Sequence, residues 1–442
     1  MALRYITFGL LLALFLLLIS RNVSSEPYLY DEADYMYAAS LGFAANWSDT
    51  PSMPIADFVR AGLHRDGRQA LSERIRSGTD VLFYRHFHGP LFYYFLIPLA
   101  RLRMSEHDVR LCMLAIPCGT LAVIYFCCPL PAFLAALLFL TSYSVIASTE
   151  LAPHQLFALC SVTSLLLLLK AIATGRRAFW YASVVAAGLA FCTLEVAFVL
   201  ILTLAICGFV ERIGGKCAVK SIALFLGTVL LVWPAAILRL SFVKSDAAMA
   251  YLALTREAPW GHVGFIDTWR ERIFDSPIEW LLIALAVALG FRNRRFYPMR
   301  LFVVMMLLAT LRILTSTPRY SLTFMPALDV LAGLTLLPFL GTSRRPASLA
   351  VVALAVAGLY ASAWFQVARQ PHNSNPRSTA VLSYIHQNRL EDKKLLVPLV
   401  DLPGLHYYFP SMRLRGYSGA QPNATDHEGF TPDAILNSGA KP

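Results

Sequence analysis

Three acidic side chains lie close together just after the first hydrophobic segment of the chain: Asp31, Glu32 and Asp34, flanked by Tyr30 and Tyr35. In a helix, Asp31, Asp34 and Tyr35 would share one face, because residues three and four apart are neighbours. Glu32 would point elsewhere. A carboxylate cluster of this kind can supply a general base or hold a cation. Carboxylates in the first turn of a helix also complement its dipole, so the spacing alone leaves both interpretations open.

A second group of polar side chains lies at 83–90, where Arg85, His86 and His88 precede an apolar stretch. Arginine and histidine in such a position can bind a phosphate or a sugar. Aromatic residues are also enriched at membrane interfaces, and an interfacial belt explains the same segment. The segment taken alone favours the belt.

Three other positions carry side chains that can do chemistry. Glu150 and His154 stand four residues apart, so a helix would bring them onto one face. Arg319 and Tyr320 begin a later hydrophobic segment, and an arginine there can bind phosphate through its rigid fork of donors. Position alone makes an interfacial anchor the simpler interpretation of Arg319. Glu195 lies near a break in an apolar stretch, and ionisable groups near membrane depth are candidates for function.

The composition indicates which elements must position these side chains. The chain has 442 residues, of which 57% are hydrophobic and 15% are charged, and its mean hydropathy is +0.57. Soluble domains contain about 45–50% apolar and about 25% charged residues. Charge-free runs recur along the whole length, and about 20 apolar residues are needed to cross the hydrocarbon core as a helix. The sequence therefore predicts an all-α polytopic membrane protein.

The net charge of +11 indicates membrane topology rather than nucleic-acid binding. Basic residues collect in short segments at 170–177, 212–220, 292–300 and 344–345, which the positive-inside rule assigns to the cytoplasm. No DNA-binding motif accompanies them. The eight cysteines lie in apolar segments or in one of these loops, which argues against a disulfide framework.

These basic segments predict eleven spans, with the N-terminus in the cytoplasm and the C-terminus outside. The stretch 178–210 is too long for one helix, and Thr193–Glu195 marks its break. The spans are expected at about 5–20, 109–127, 130–147, 152–171, two within 178–210, 219–240, 277–291, 299–315, 320–340 and 347–366.

Two extracytoplasmic loops are expected, at 21–108 and 241–276. The first contains the apolar stretch Leu91–Leu102, which is short for a span and has Pro98 inside it. Counting this stretch as a span would also place the basic segments on the wrong side of the membrane. We therefore predict a juxtamembrane helix that lies on the outer face.

The C-terminal residues have a different character from the spans. The sequence has helical periodicity at Ser378–Asn388 and a short strand-like run at Lys394–Leu399, followed by proline and glycine. We predict a small extracytoplasmic α/β region there. The chain is accordingly divided into a membrane domain, 1–366, and a C-terminal region, 367–442.

Taken together and in order, these motifs resemble the GT-C class of integral-membrane glycosyltransferases. The nearest branch contains the protein O-mannosyltransferases and the lipid A aminoarabinose transferases. Its Asp-Glu-x-x-Tyr motif after the first span is matched by Asp31-Glu32-Ala33-Asp34-Tyr35. His88-Gly89-Pro90-Leu91 resembles the motif before the juxtamembrane helix, and Arg319-Tyr320 resembles a later one. The resemblance covers roughly residues 1–340. The chain differs from the family at His154 and Leu194, where aspartate and lysine are usual.

The resemblance implies a function on the outer face of a bacterial inner membrane. A sugar on a polyprenyl phosphate would be transferred to a lipid, glycan or protein acceptor, with Asp31 as general base and Glu32 as a second catalytic carboxylate. The substrate-binding residues would be Asp34, Tyr35, Arg85, His86, His88, Glu150, His154, Arg319 and Tyr320. No cofactor is required, although a divalent metal at the acids is compatible with the chemistry. Membrane lipids are the other expected partners, and nucleic acid is not one.

Two other functions stay open at this stage. A secondary transporter would show inverted repeats and ionisable groups at the membrane midplane. Here no convincing internal repeat is found, and the charged residues gather at the outer surface. A scaffold of the same fold that has lost catalysis is suggested by His154 and Leu194.

Overall fold

The computed structural model describes most of the chain, with gaps between the segments. The described residues are 2–28, 30–47, 55–64, 88–128, 133–238, 269–270, 273–274, 276–290, 294–310, 318–341, 346–369, 376–398, 401–417 and 431–436. Arg85 and His86, two of the predicted substrate-binding residues, lie outside them.

The described part of the membrane domain is mainly helical, because backbone groups inside a bilayer must be hydrogen-bonded within the protein. The helices before the break at Thr193–Glu195 are α1 (Ala2–Ile19), α2 (Tyr30–Leu41), α3 (Ile55–Leu63), α4 (Leu91–Arg101), α5 (Glu106–Met113), α6 (Ala115–Cys127), α7 (Phe133–Thr141), α8 (Tyr143–Ile146), α9 (Pro153–Thr174) and α10 (Arg177–Phe191). Those that follow are α11 (Phe198–Val210), α12 (Gly215–Val232), α13 (Pro234–Leu238), α14 (Pro277–Gly290), α15 (Tyr297–Thr310), α16 (Met325–Gly341), α17 (Pro346–Arg369), α18 (Pro376–Gln387) and α19 (Leu402–Tyr408).

Four helical segments of the described chain are long and apolar enough to cross a bilayer, judged by length and composition: Leu3–Asn22, Glu106–Cys127, Pro153–Thr174 and Gly215–Val232. Most of the other predicted spans coincide with shorter apolar helices. The prediction of an all-α polytopic membrane protein is therefore confirmed. The direction in which each helix crosses stays a prediction.

Several of the predicted spans contain or flank a break. Helix α10 ends at Phe191 and α11 begins at Phe198, with a 3₁₀ turn at Glu195–Ala197 between them, as the sequence predicts. The span expected at 130–147 is not one helix, because α7 ends at Thr141 and Ser142 is extended. The Ser142 hydroxyl donates a hydrogen bond of 2.7 Å to Glu279 Oε1, so the break exposes a polar side chain to another helix.

The juxtamembrane helix α4 packs its buried face, which includes Phe92 and Tyr93, against the rest of the bundle. It begins next to the break between α10 and α11, since the Leu91 N–H donates a hydrogen bond of 2.9 Å to the Cys192 carbonyl. At Gly89 a Cβ atom would overlap the same Cys192 carbonyl. Glycine is therefore required at this position, and it fixes the preceding His88 close to the break.

The C-terminal region forms a small α/β unit with a core of its own. Strands β1 (Lys394–Pro398), β2 (Arg413–Tyr417) and β3 (Ala434–Ile435) form a parallel sheet in the order β2-β1-β3. Leu395 and Val397 of β1 pack in a hydrophobic cluster with residues of α18 and α19. The predicted α/β character is confirmed. Helix α17 continues past the predicted domain boundary at 366, and the division into two domains stays a prediction.

The C-terminal unit is fastened to the segment that leads into α2. The Tyr408 hydroxyl donates a hydrogen bond of 2.9 Å to Glu106 Oε1 and accepts one of 2.8 Å from the Tyr28 N–H. The Thr379 hydroxyl donates a hydrogen bond of 2.8 Å to Glu26 Oε2. These contacts hold α19 beside α2, the helix that carries the acidic motif.

Candidate active site

Helix α2 presents its neighbouring acids, Asp31 and Glu32, to different surroundings. Glu32 is buried and accepts hydrogen bonds from Arg110, with Nη2–Oε2 at 2.7 Å and Nε–Oε1 at 3.0 Å. Its Oε1 also accepts a hydrogen bond of 2.8 Å from the Leu151 N–H. The remaining guanidinium nitrogen of Arg110, Nη1, donates hydrogen bonds to the carbonyls of Ser24 and Glu26. This engagement favours an anchoring role for Glu32 over the predicted catalytic role.

Asp31 faces a different direction and meets the arginine of the Pro318–Thr323 turn. Arg319 Nη2 donates a hydrogen bond of 2.7 Å to Asp31 Oδ2, and Arg319 Nε lies 3.6 Å from Glu150 Oε1. The Asp31 side chain is 44% exposed, whereas those of Arg319 and Glu150 are 17% and 25% exposed. One accessible carboxylate, one less exposed guanidinium and a second acid therefore form a single cluster.

The surroundings of this cluster raise the pKa of both Arg319 and Glu150. The arginine is thereby kept charged, whereas the acid is more readily neutral. Burial lowers the pKa of Arg319, but Asp31 and Glu150 more than offset this and raise it, so the guanidinium is always charged. Burial raises the pKa of Glu150 to about 7, although the nearby Arg319 opposes the increase. Glu150 therefore changes charge near neutral pH, directly beside a permanent cation.

A histidine provides a second cationic group. His88 Nδ1 lies 3.0 Å and 2.9 Å from the two carboxylate oxygens of Glu195. Burial lowers the pKa of His88, but the charge and hydrogen bond of Glu195 outweigh it and raise the pKa above its ordinary value. The loop at Gly89 and the 3₁₀ turn at Glu195–Ala197 place the two side chains together.

Aromatic rings connect the two halves of the cluster. The Tyr35 ring stacks on His88 with centroids 6.3 Å apart and meets Phe92 edge-on at 5.2 Å. Burial, together with the charge of Asp31, raises the pKa of Tyr35 well above its usual value, so the phenol stays neutral. His154 meets the Tyr320 ring edge-on at 5.2 Å. Tyr320 in turn lies beneath the Arg319 guanidinium, whose carbon is 5.2 Å from the ring centroid.

The structure thus brings most of the predicted site residues to one place. Those in the cluster are Asp31, Tyr35, His88, Glu150, His154, Arg319 and Tyr320, and Asp34 adds its negative charge near Tyr35. Sequence reasoning did not find the partner of Glu32, which is Arg110, nor the buried acids Glu279 and Asp329. An isolated charged residue in an otherwise apolar segment is the signal that marks Glu279 and Asp329, whereas Arg110 has the charged neighbours Glu106 and Asp108.

The arrangement favours acid–base and anion-binding chemistry. Within the described residues, no group of three or more histidine, cysteine, aspartate or glutamate side chains is arranged to hold a metal ion. Asp31 can accept a proton, because its Oδ1 has no hydrogen-bond donor among the described residues. Arg319 and protonated His88 can bind the oxygens of a phosphate. A base and two cations are the groups that transfer from a phosphate-linked donor requires.

Helical spans, an interfacial helix and this polar cluster together describe a polytopic membrane protein, and the fold that the resemblance implies is confirmed. The same fold is found in the crystal structure of ArnT from Cupriavidus metallidurans bound to undecaprenyl phosphate. The similarity has a TM-score of 0.57 and 14% sequence identity, and it covers 97% of this chain and 89% of that one. No protein-family model and no curated protein matches the sequence. At this level of identity the similarity shows the fold alone.

Proposed function

We propose that the protein is a membrane glycosyltransferase that acts on the extracytoplasmic face of a bacterial inner membrane. It transfers a sugar from a polyprenyl-phosphate-linked donor to a hydroxyl or amine of a lipid, glycan or protein acceptor. The observation that carries this proposal is the contact of 2.7 Å between Asp31 and Arg319. It puts an accessible base beside the cation that a phosphate leaving group needs. The fold shared with a protein bound to undecaprenyl phosphate supports the choice of lipid carrier.

In the proposed reaction the acceptor oxygen or nitrogen forms a bond to the anomeric carbon while the bond from that carbon to the phosphate oxygen breaks. The acceptor proton moves to Asp31, and the polyprenyl phosphate leaves with the electron pair of the broken bond. Asp31 uses Oδ2 to bind Arg319, so Oδ1 is the oxygen that takes the proton. The configuration of the sugar is inverted, because attack and departure take place on opposite sides of the carbon.

The leaving phosphate is stabilised by charges that are already in place. Arg319 is held between Asp31 and Glu150, so a phosphate that arrives competes with two carboxylates for the same donors. His88, kept protonated by Glu195, supplies a second cation to the phosphate. Pre-organised charge of this kind costs no rearrangement at the moment of reaction.

The experiment that tests this function is transfer from a synthetic polyprenyl-phosphate sugar by the purified protein and by the variant Asp31→Asn. Loss of a general base lowers turnover by about 10²–10⁴-fold. Binding of the lipid phosphate is expected to persist in the variant, because Arg319 is retained. Undiminished turnover would exclude Asp31 as the base.

A matched control comes from the same extracytoplasmic loop. Asp57 is 49% exposed and forms an ion pair of 3.1 Å with Arg60, so it resembles Asp31 in exposure and in its partner. The variant Asp57→Asn is expected to transfer sugar at the rate of the unaltered protein. An equal loss in both variants would indicate a general effect of removing an acid from this loop.

A further inference from the structure

Two acidic side chains that are not part of the candidate active site are buried inside the helix bundle. Glu279, in the first turn of α14, is 1% exposed, and Asp329 of α16 is 0% exposed. The two carboxyl groups lie close enough for the charge of Glu279 to act on Asp329. The Ser142 hydroxyl at the break between α7 and α8 donates to Glu279, and Ser276 also contacts this acid.

No basic side chain among the described residues forms an ion pair with either acid. Neither carboxylate oxygen of Asp329 has a hydrogen-bond partner among the described residues. Two carboxylates that lie close together repel each other strongly where the dielectric constant is low. The negative charge of the pair must therefore be neutralised by protons, by a bound cation, or by both.

A small cavity lies directly beside Glu279. It has a volume of about 10 Å³, and Glu279, Ser276 and Ser321 are among the residues that line it. The Ser321 hydroxyl is completely buried and has no hydrogen-bond partner among the described residues. A space of this size accommodates one body about as large as a water molecule. Its lining thus combines a buried carboxylate with a hydroxyl group that has no partner in the described protein.

We propose that this cavity binds one small monovalent cation of the sodium class, with the carboxylate of Glu279 and the hydroxyls of Ser321 and Ser276 as ligands. The polar side chains that line the cavity offer oxygen atoms, which are the ligands of hard cations. The volume admits the ion only without its hydration shell. This argues against Mg²⁺, which usually keeps several waters, and Ca²⁺ takes six to eight oxygen ligands. One cation together with one proton on the acid pair balances both carboxylates.

The proposed ion would also stabilise the turn that carries Arg319. Ser321 belongs to the same Pro318–Thr323 turn, and Ser142 and Glu279 bring α7, α8 and α14 to it. Binding of the cation is a property of the folded protein and does not depend on whether the protein transfers sugar.

The test is thermal unfolding of the purified full-length protein in detergent, at constant ionic strength, with NaCl replaced stepwise by choline chloride. A ligand that binds the folded state raises the Tm as its concentration increases. We expect the Tm to increase with Na⁺ and the increase to be lost in Glu279→Gln and in Ser321→Ala. The serine variant removes only one hydroxyl, so it serves if the glutamate variant does not fold.

The control is Ser164→Ala, which removes another buried serine whose hydroxyl binds Ser183. This variant is expected to keep the full response to Na⁺. An identical Tm in sodium and choline would overturn the proposal in favour of a shared proton alone. A response to Ca²⁺ without one to Na⁺ would overturn the assignment to a monovalent ion. A sodium response unchanged in both cavity variants would place the ion elsewhere. No sugar donor is present, so none of these results depends on transferase activity.

Discussion

Arg319 donates a hydrogen bond of 2.7 Å to Asp31, although 288 positions separate the two residues in the chain. The candidate base is thus paired with the candidate phosphate-binding group before any substrate is bound. A donor phosphate that shares the guanidinium weakens its hold on Asp31, and the carboxylate then takes up a proton more readily. Binding of the donor and activation of the base are coupled through one ion pair.

The variant Arg319→Lys tests this coupling. Lysine keeps the charge but lacks the planar fork that binds two oxygens at once. A lost hydrogen bond to a charged group costs about 1.5–3 kcal/mol, so we expect the KM for the lipid donor to increase about 10–100-fold. Steady-state kinetics with varied donor measure this. Arg60→Lys, in the exposed pair with Asp57, is the control and should leave the KM unchanged.

Glu150 predicts a dependence of donor binding on pH. Its pKa is raised to about 7, so it is neutral below that pH and negative above it. The ionised form competes with the donor for Arg319, and the KM for the donor should therefore increase as the pH rises through 7. In Glu150→Gln this dependence should be shallower, with the remainder due to His88. An equally steep profile in the variant would contradict the assignment.

The same acid predicts an effect on stability. Since the pKa of Glu150 is higher in the folded state than in the unfolded chain, the folded state binds the proton more tightly. The contribution of Glu150 to the free energy of unfolding should accordingly fall as the pH rises from about 4.5 to about 7. Glu150→Gln should remove this part of the slope, as measured by chemical unfolding at several pH values.

The pair of His88 and Glu195 predicts a second, separable pH effect. The raised pKa of His88 means that the pair stabilises the fold fully below the unfolded value of about 6.5. This contribution is lost as the pH rises through the higher folded value. Glu195→Gln should abolish it and weaken donor binding near neutral pH. Glu391→Gln, which disrupts the exposed pair with His386, is the control and should do neither.

The buried pair of Glu32 and Arg110 should matter for stability more than for chemistry. Removing one partner of a buried ion pair costs about 3–5 kcal/mol, because the other charge is left without compensation. Glu32→Gln is expected to lower the unfolding temperature strongly. Replacing both partners with apolar residues should recover part of the loss. A Glu32→Gln variant of normal stability but without turnover would instead restore the catalytic role.

The sequence predicted the spans well because a bilayer leaves few alternatives to apolar helices. It also predicted the break near Thr193–Glu195, where polar residues interrupt a stretch too long for one helix. The break at Ser142 was missed, since the residues on both sides are apolar and only the contact with Glu279 explains it. Contacts of this kind depend on tertiary packing, which periodicity does not report.

The candidate site was predictable in part for the same reason. Helical spacing separates Asp31 from Glu32, and the structure places them on different faces. The partners of both acids come from distant segments, and nothing local in the sequence pairs Arg110 with Glu32. Glu195 lies at the break that the sequence predicts, but nothing local in the sequence pairs it with His88. Arg85 and His86 lie outside the described residues, so their placement stays a prediction.

Asp31 and Glu32 are consecutive in α2, and consecutive residues of an α-helix are about 100° apart around its axis. The bonds of Glu32 to Arg110 and Leu151 therefore set the angular phase of the whole helix. Inserting a single residue between Asp31 and Glu32 would turn Asp31 away from Arg319 without changing its chemistry. The identity of the acid at position 31 and its direction around the helix axis are therefore separate requirements. The Asp31-Glu32 motif placed in another protein would function only together with an arginine that binds the second acid, as Arg110 does here.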